Sequence, residues 1–344
     1  GGLQVNATQV IAIASIVVLT AFNVRGVENG KALQTSFTLA KILALLALIV
    51  LGLWVASGSG VLSANFSSGW QARGFSLAAD GTETWTPLFG AALASAFGVA
   101  LVGSLFSSDA WNNVTFIAGE IDRPQRNVPL SLLLGTGIVT VLYLLANVAY
   151  LALLPNEDIA HADADRVGAA AAAVIFGNKG ALIMAGLIMV STFGCNNGII
   201  LSGGRLYYAM ARDGLFFRRA GELNKAGVPG FALWVQCIWA SLLCLSGRYG
   251  DLLEYTMFAS LLFYIVTIAG LFRLRRREPG TERPYRAWGY PVLPALYIIG
   301  AAAFCLNLLW SKPLYTGMGL GIVALGAGVY FIRNAVSPVE RGVR

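Results

Sequence analysis

The stretch PLFGAALASAFGVALVGSLFSSDAWNNVTFIA, residues 87–118, decides how this chain is read. As unbroken α-helix it would run ~48 Å at 1.5 Å per residue, well beyond the ~30 Å hydrocarbon core of a bilayer. Its second half is polar, with Ser104, Ser107, Ser108, Asp109, Asn112 and Asn113. An Asp at mid-membrane costs ~2.5–3.5 kcal/mol on the insertion scale. Polar groups at that depth face a bundle interior or a wet cavity, and by default point to function. One reading is a discontinuous helix that unwinds near Ser107 to Ala110. Its free carbonyls and amides would then line a cavity. The C-terminal end of the first half-helix, with its partial negative charge, would suit an ammonium group. Non-helical backbone is tolerated at this depth only under a cover of protein or water. The other reading is a long tilted helix with a few polar packing contacts.

On either side the chain is built of similar apolar runs. Of its 344 residues 57% are hydrophobic and 12% charged. An ordinary soluble domain carries about 25% charged residues, so polar surface is too scarce here for a water-soluble fold. At about 20 apolar residues per crossing, about nine spans are predicted. They lie near 7–24, 34–56, 87–118, 128–154, 180–211, 229–246, 251–272, 291–310 and 314–332. The polar stretch 57–86 is expected to be a long loop. The stretch 155–178 is expected to hold a short loop helix around Ala169 to Ala173.

Positive charge tests this division. If the spans alternate in direction, one set of loops carries Arg25, Lys31, Arg123, Arg126, the residues from Arg205 to Lys225, those from Arg273 to Arg286, and Arg333 to Arg344. The other set carries only Arg73, Arg166, Lys179, Arg248 and Lys312. The rich set is cytoplasmic by the positive-inside rule, which puts residue 1 outside and the C-terminus in the cytoplasm. The net charge of +7 therefore reflects topology rather than a nucleic-acid partner. The chain opens Gly1-Gly2-Leu3 without a charged n-region, so no signal peptide is read. An outside start without a signal is odd for a multi-pass membrane protein, and three further N-terminal spans would return the start to the cytoplasm.

Other features carry less. In 180–211 the segment Ser191-Thr192-Phe193-Gly194-Cys195-Asn196-Asn197-Gly198 is read mainly as close helix packing with amide contacts. Lys41 is the only charge in 34–56. It either snorkels to the interface or is a buried ammonium held by neighbouring spans. Cys195, Cys237, Cys244 and Cys305 all fall in apolar runs and read as free thiols, not as a disulfide or metal framework. His161 is read as a solvated loop side chain. Leu274-Arg275-Arg276-Arg277 suits anionic headgroups. Trp54, Trp85, Trp288 and Trp310 fit an aromatic belt at the span ends. The triplet Asn65-Phe66-Ser67 has glycosylation spacing, from which nothing is drawn.

Two motifs then carry a resemblance. Glu120-Ile121-Asp122-Arg123-Pro124-Gln125-Arg126-Asn127-Val128-Pro129 resembles the loop after helix six of the amino acid–polyamine–organocation superfamily. Arg205-Leu206-Tyr207-Tyr208-Ala209-Met210-Ala211-Arg212-Asp213-Gly214 resembles that superfamily's motif at the end of helix eight, with Val228-Pro229 before helix nine. Phe106 with Trp111-Asn112, and Ala40-Lys41-Ile42-Leu43-Ala44-Leu45, are most similar to the L-type amino acid transporters.

The resemblance implies an all-α, LeuT-like inverted-repeat transporter fold of twelve helices, with substrate at the repeat interface. On that map residues 1–344 are one transporter domain holding helices four to twelve. Helices one to three are missing, among them the broken helix one that would bind the substrate carboxylate. Phe106 would be the aromatic gate, and Ser107, Ser108, Asp109 and Ala110 the unwound segment around the α-amino group. Trp111 and Asn112 would start the second half-helix, and Lys41 would stand in for the sodium ion of coupled relatives. Ser108 and Asp109 depart from the familiar L-type pattern. Asp109 is open to a polar or cationic substrate, to proton coupling, or to a structural role.

The function implied is sodium-independent amino-acid transport across the plasma membrane, by exchange of neutral amino acids through alternating access. No enzyme activity, cofactor, metal or nucleic acid is expected. The partners are an amino-acid substrate and the lipid bilayer; an ancillary single-span subunit is left open. The rival readings are a proton-coupled symporter, and a transporter-like sensor or channel. A membrane-embedded enzyme is disfavoured, because Asp109 and Lys41 alone are too few groups for a catalytic cluster.

Overall fold

A computed structural model describes residues 6–68, 71–77, 83–246, 249–283 and 285–336 of the chain. In chain order the helices are α1 Ala7–Val24, α2 Val27–Val55, α3 Val61–Ser68, α4 Gly90–Ser107, α5 Asn113–Phe116, α6 Pro124–Leu153 and α7 Asn156–Ala160. They continue as α8 Val167–Phe176, α9 Gly180–Arg212, α10 Gly230–Ser246, α11 Tyr249–Arg277, α12 Val292–Ser311 and α13 Pro313–Val336. Strands β1 Arg73–Leu77 and β2 Glu83–Pro87 pair antiparallel, Arg73 opposite Pro87.

Among the described residues 7 helices are long and apolar enough to cross a bilayer, and the shorter apolar stretches Gly230–Leu245 and Thr316–Gly328 occupy the two remaining expected spans. The outer faces carry exposed Ile11, Leu133, Leu182 and Ile238. Water would not tolerate so much apolar surface, but lipid does. The chain is an integral, multi-pass membrane protein. Trp54 and Trp310 lie exposed one residue from the ends of α2 and α12, as an aromatic belt requires.

The stretch 57–86 is more ordered than a plain loop. Strand β2 carries Thr84, Trp85 and Thr86, residue types that favour a pleated ribbon. Helix α3 docks on the end of α6. The Asn65 side-chain amide donates to the carbonyls of Leu151 and Leu154, both at 2.8 Å, and so satisfies two orphan carbonyls of the helix terminus. The Asn65 side-chain Oδ1 accepts from the Asn156 backbone N–H at 2.9 Å. Asn65 is buried, and its amide is a structural cap rather than a glycan acceptor.

The chain divides into two compact units that alternate along the sequence. The first comprises Gly1–Ala72 and Trp111–Leu245; the second comprises Arg73–Ala110 and Ser246–Arg344. In the first unit α9 is the central element. Leu19, Ile200, Val228 and Leu233 join α1, α9 and α10. Ile49, Leu142 and Ala146 join α2 to α6. Small residues let α9 approach closely: a Cβ on Gly194 would lie 2.5 Å from Phe37 Cβ on α2, and one on Gly180 would lie 2.2 Å from the Ala172 carbonyl oxygen on α8. An amide chain completes the contact. Asn23 Nδ2 donates to Asn197 Oδ1 at 2.8 Å, and Asn197 Nδ2 donates to Gln34 Oε1 at 3.3 Å. The packing reading of 180–211 thus fits the structure, with α1 as the third helix it ties.

The second unit packs α4, α11 and α12 around Val102, Met257, Phe258, Leu261, Phe304 and Leu308. Asn307 Nδ2 on α12 donates to the Ser95 carbonyl on α4 at 3.2 Å, beside Gly98, where any Cβ would meet that amide at 2.3 Å.

Candidate functional site

The helix expected over 87–118 is interrupted. Helix α4 ends at Ser107, Ser108 is its C-cap, and turns run to Asn112 before the single turn of α5. The hydroxyls of Ser107 and Ser108 turn back onto the carbonyls of Ser104 (2.9 Å) and Leu105 (3.1 Å). Such local bonds offer the backbone an alternative to continuing the helix. The chain leaves through Ala110 at φ 64°, a left-handed conformation that disfavours an L-residue with a Cβ.

The boundaries differ from those expected. Ser107 is the last helical residue rather than part of the unwound segment. Trp111 and Asn112 lie in the turns, Asn112 as the N-cap of α5, rather than in a second half-helix. That half-helix is itself only four residues long and passes into a 3₁₀ turn at Ala118–Glu120. The serine hydroxyls and the left-handed Ala110 account for where the first helix stops.

Among the described residues, the backbone carbonyls of Ser108 and Asp109 receive no hydrogen bond. They are open backbone acceptors at the helix break. Phe106, two residues before them in the chain, is exposed, and so is Trp111. Phe106 to Ala110 belong to the second unit, and Trp111 and Asn112 to the first. The Asp109 carboxylate is not left to itself: Tyr264 Oη on α11 donates to Asp109 Oδ1 at 2.5 Å. Tyr264 was not anticipated from the sequence. Its only sign there was a phenol in an otherwise apolar run.

Lys41 is in the first unit, on α2. The apolar part of α2 begins at Gln34, so Lys41 lies ~10 Å inside it at 1.5 Å per residue. Its Nζ donates to Cys195 Sγ on α9 at 3.4 Å, so the side chain is directed across to a neighbouring helix. Both line a cavity of about 400 Å³ with Tyr143, Ser191, Leu48 and Leu187. Its wall is mostly apolar, with Lys41 the only charged group. The four cysteines are free thiols, and among the described residues no group of His, Cys, Asp and Glu could hold a metal ion.

A polytopic helical carrier with an interrupted helix is the class that this architecture defines. The chain belongs to the amino acid permease family, whose model matches residues 3–323. This family comprises carriers, not enzymes. Over 327 residues the chain is 28% identical to the serine/threonine exchanger SteT of Bacillus subtilis, across 94% of this chain and 69% of that protein. It is 29% identical over 332 residues to the human large neutral amino acids transporter small subunit 2, across 94% of this chain and 57% of that one. It is 27% identical over 313 residues to the mouse b(0,+)-type amino acid transporter 1, across 89% and 58%. The chain thus spans little more than half the length of the last two. Its likeness to L-type transporters extends over nearly its whole length.

Proposed function

We propose that this chain is the larger part of a sodium-independent amino-acid exchanger of the plasma membrane, comprising helices four to twelve of a twelve-helix carrier. The observation that carries this reading is the break after Ser107, with the open carbonyls of Ser108 and Asp109 following the exposed Phe106. A zwitterionic amino acid places its ammonium on those carbonyls, and helix one, supplied by the longer protein, takes its carboxylate. Lys41 keeps a fixed positive charge where coupled relatives bind sodium, so the cycle runs without that ion. Its contact with Cys195 links helices five and eight of the family count. Exchange is supported by the name of the Bacillus relative, and neutral substrates by that of the human one. The human relative is called a small subunit; an ancillary partner for this chain is to be sought by co-purification. Residue 1 is placed outside and the C-terminus in the cytoplasm, on the distribution of Arg and Lys.

The test is uptake of labelled neutral amino acids into sodium-free proteoliposomes containing the longest native reading frame. Uptake that requires unlabelled amino acid inside establishes exchange. A second reading, proton symport, is favoured by one observation, the Asp109 carboxylate within the break. It predicts uptake driven by a pH gradient and abolished in Asp109→Asn. If no amino acid moves under either condition, a sensor or channel replaces both readings.

A further inference from the structure

Asp109 and Tyr264 both lie within the second unit. Its backbone N–H donates to the Phe106 carbonyl at 3.1 Å, which holds the main chain at the end of α4. Its side chain is held separately, by Tyr264 Oη at 2.5 Å. That separation lies in the range of a charge-assisted O–H···O⁻ bond. Tyr264 is well placed to act as a fixed support. Its ring packs against the buried cluster of Met257, Phe258 and Leu261. A phenol with a packed ring keeps little rotational freedom, so its hydroxyl defines a point in space.

The hydroxyls of Ser107 and Ser108 turn back onto α4, and a second phenol, Tyr297 on α12, lies near Asp109 without a hydrogen bond to it. Among the described residues of this unit, no cation pairs with Asp109. A carboxylate at membrane depth with one hydrogen-bonded phenol, a second phenol nearby and no cation calls for a positive counterpart. With Oδ1 engaged, Oδ2 is the oxygen left for it.

We propose that Tyr264 is a positioning residue of the substrate site: by holding Asp109 Oδ1 it aims Oδ2 at the bound amino acid, and so sets how strongly the site prefers a cationic side chain over a neutral one of equal length. This rests on the helix break being the substrate site. Tyr264 acts only through Asp109 and does not itself touch the substrate.

The experiment compares L-homoserine with L-2,4-diaminobutyrate, which differ by a terminal hydroxyl against an ammonium. Half-saturation and maximal rate are measured for both in proteoliposomes of the longest native reading frame. The wild type is expected to take the diamino acid at the lower concentration. Tyr264→Phe keeps the ring and its packing and is expected to reduce that preference about 10-fold, as loss of a hydrogen bond to a charged group does. Its maximal rate for homoserine should stay within about 2-fold of wild type, since the ring contacts are kept. Asp109→Asn should abolish the preference, and adding Tyr264→Phe to it should change nothing more. Tyr264→Trp, which restores a bulky ring with an N–H donor, serves if the Phe variant fails to reconstitute, and it should shift the preference without removing homoserine transport. The inference is overturned if wild type shows no preference, if Tyr264→Phe leaves the ratio unchanged, or if its effect persists in the Asp109→Asn background. A wild-type protein that moves neither compound overturns the substrate-site reading, and the role of Tyr264 with it.

Discussion

Lys41 Nζ on α2 donates to Cys195 Sγ on α9 at 3.4 Å, and the two side chains share the wall of one apolar cavity. A thiol is a weak acceptor for an ammonium. The pair therefore fixes direction more than it supplies energy, and the charge of Lys41 is the more valuable member. Lys41→Met keeps the length of the stem and removes the charge. It is expected to reduce uptake at least about 10-fold, as loss of a functional intramembrane charge should. Cys195→Ala should stay within about 3-fold of wild type, because only a weak sulfur contact is lost. Equal losses in the two variants, measured as initial rates in proteoliposomes, would make the sulfur contact itself the important feature.

The thiols should react in an order set by exposure. Cys195 is exposed, whereas Cys237 and Cys305 are buried. A membrane-permeant maleimide should label Cys195 first and reach the other two only after unfolding, as peptide mass spectrometry would show. Labelling of Cys305 at the rate of Cys195 in the folded protein would contradict the packing of α12.

Gly194 is where α9 meets Phe37 most closely. Gly194→Ala forces a methyl to within 2.5 Å of Phe37 Cβ. Overpacking of this kind destabilises by about 1–3 kcal/mol. Gly186, on the same helix, has open space within 4 Å of its would-be Cβ, so Gly186→Ala should be neutral or slightly stabilising by helix propensity. Thermal unfolding in detergent, followed for both variants, separates a crowded face from an open one.

The amide chain of Asn23, Asn197 and Gln34 ties three helices. Asn197 is fully buried, and Asn197→Leu orphans one N–H of the Asn23 amide, the other staying on the Leu19 carbonyl at 2.9 Å. A loss of about 1–2 kcal/mol is expected, in line with interhelical hydrogen bonds and unpaired buried donors. Asn23→Leu in the Asn197→Leu background should then cost less than it does alone. Strict additivity in that cycle would mean that the two amides do not act together.

Ala110 holds the break in a left-handed conformation. Ala110→Gly removes the Cβ and should stabilise the protein by about 1 kcal/mol. Ala110→Val adds a β-branched residue at the same φ and should lower both the melting temperature and the uptake rate. If Gly and Val behave alike, the backbone at 110 is not strained.

Hydropathy, span length and the placement of Arg and Lys were enough to read a multi-pass helical membrane protein from the sequence. They depend only on composition along the chain, and the bilayer imposes a fixed length on every crossing. The interruption near Asp109 was legible for the same reason: a run too long for the membrane, with Ser, Asp and Asn in its middle, had to be broken or tilted. Which residue ends the helix was not legible. That depends on serine hydroxyls folding back onto Ser104 and Leu105 and on the φ of Ala110, and neither shows in a hydropathy pattern. The cap that Asn65 places on α6, the partnership of Asn23 with Asn197, and the grip of Tyr264 on Asp109 join residues far apart in sequence. A span states that a side chain is at membrane depth, but not which neighbour it faces. Only the packing of helices brings a given phenol, thiol or amide within hydrogen-bond distance of a given charge, so tertiary structure alone decided those pairs.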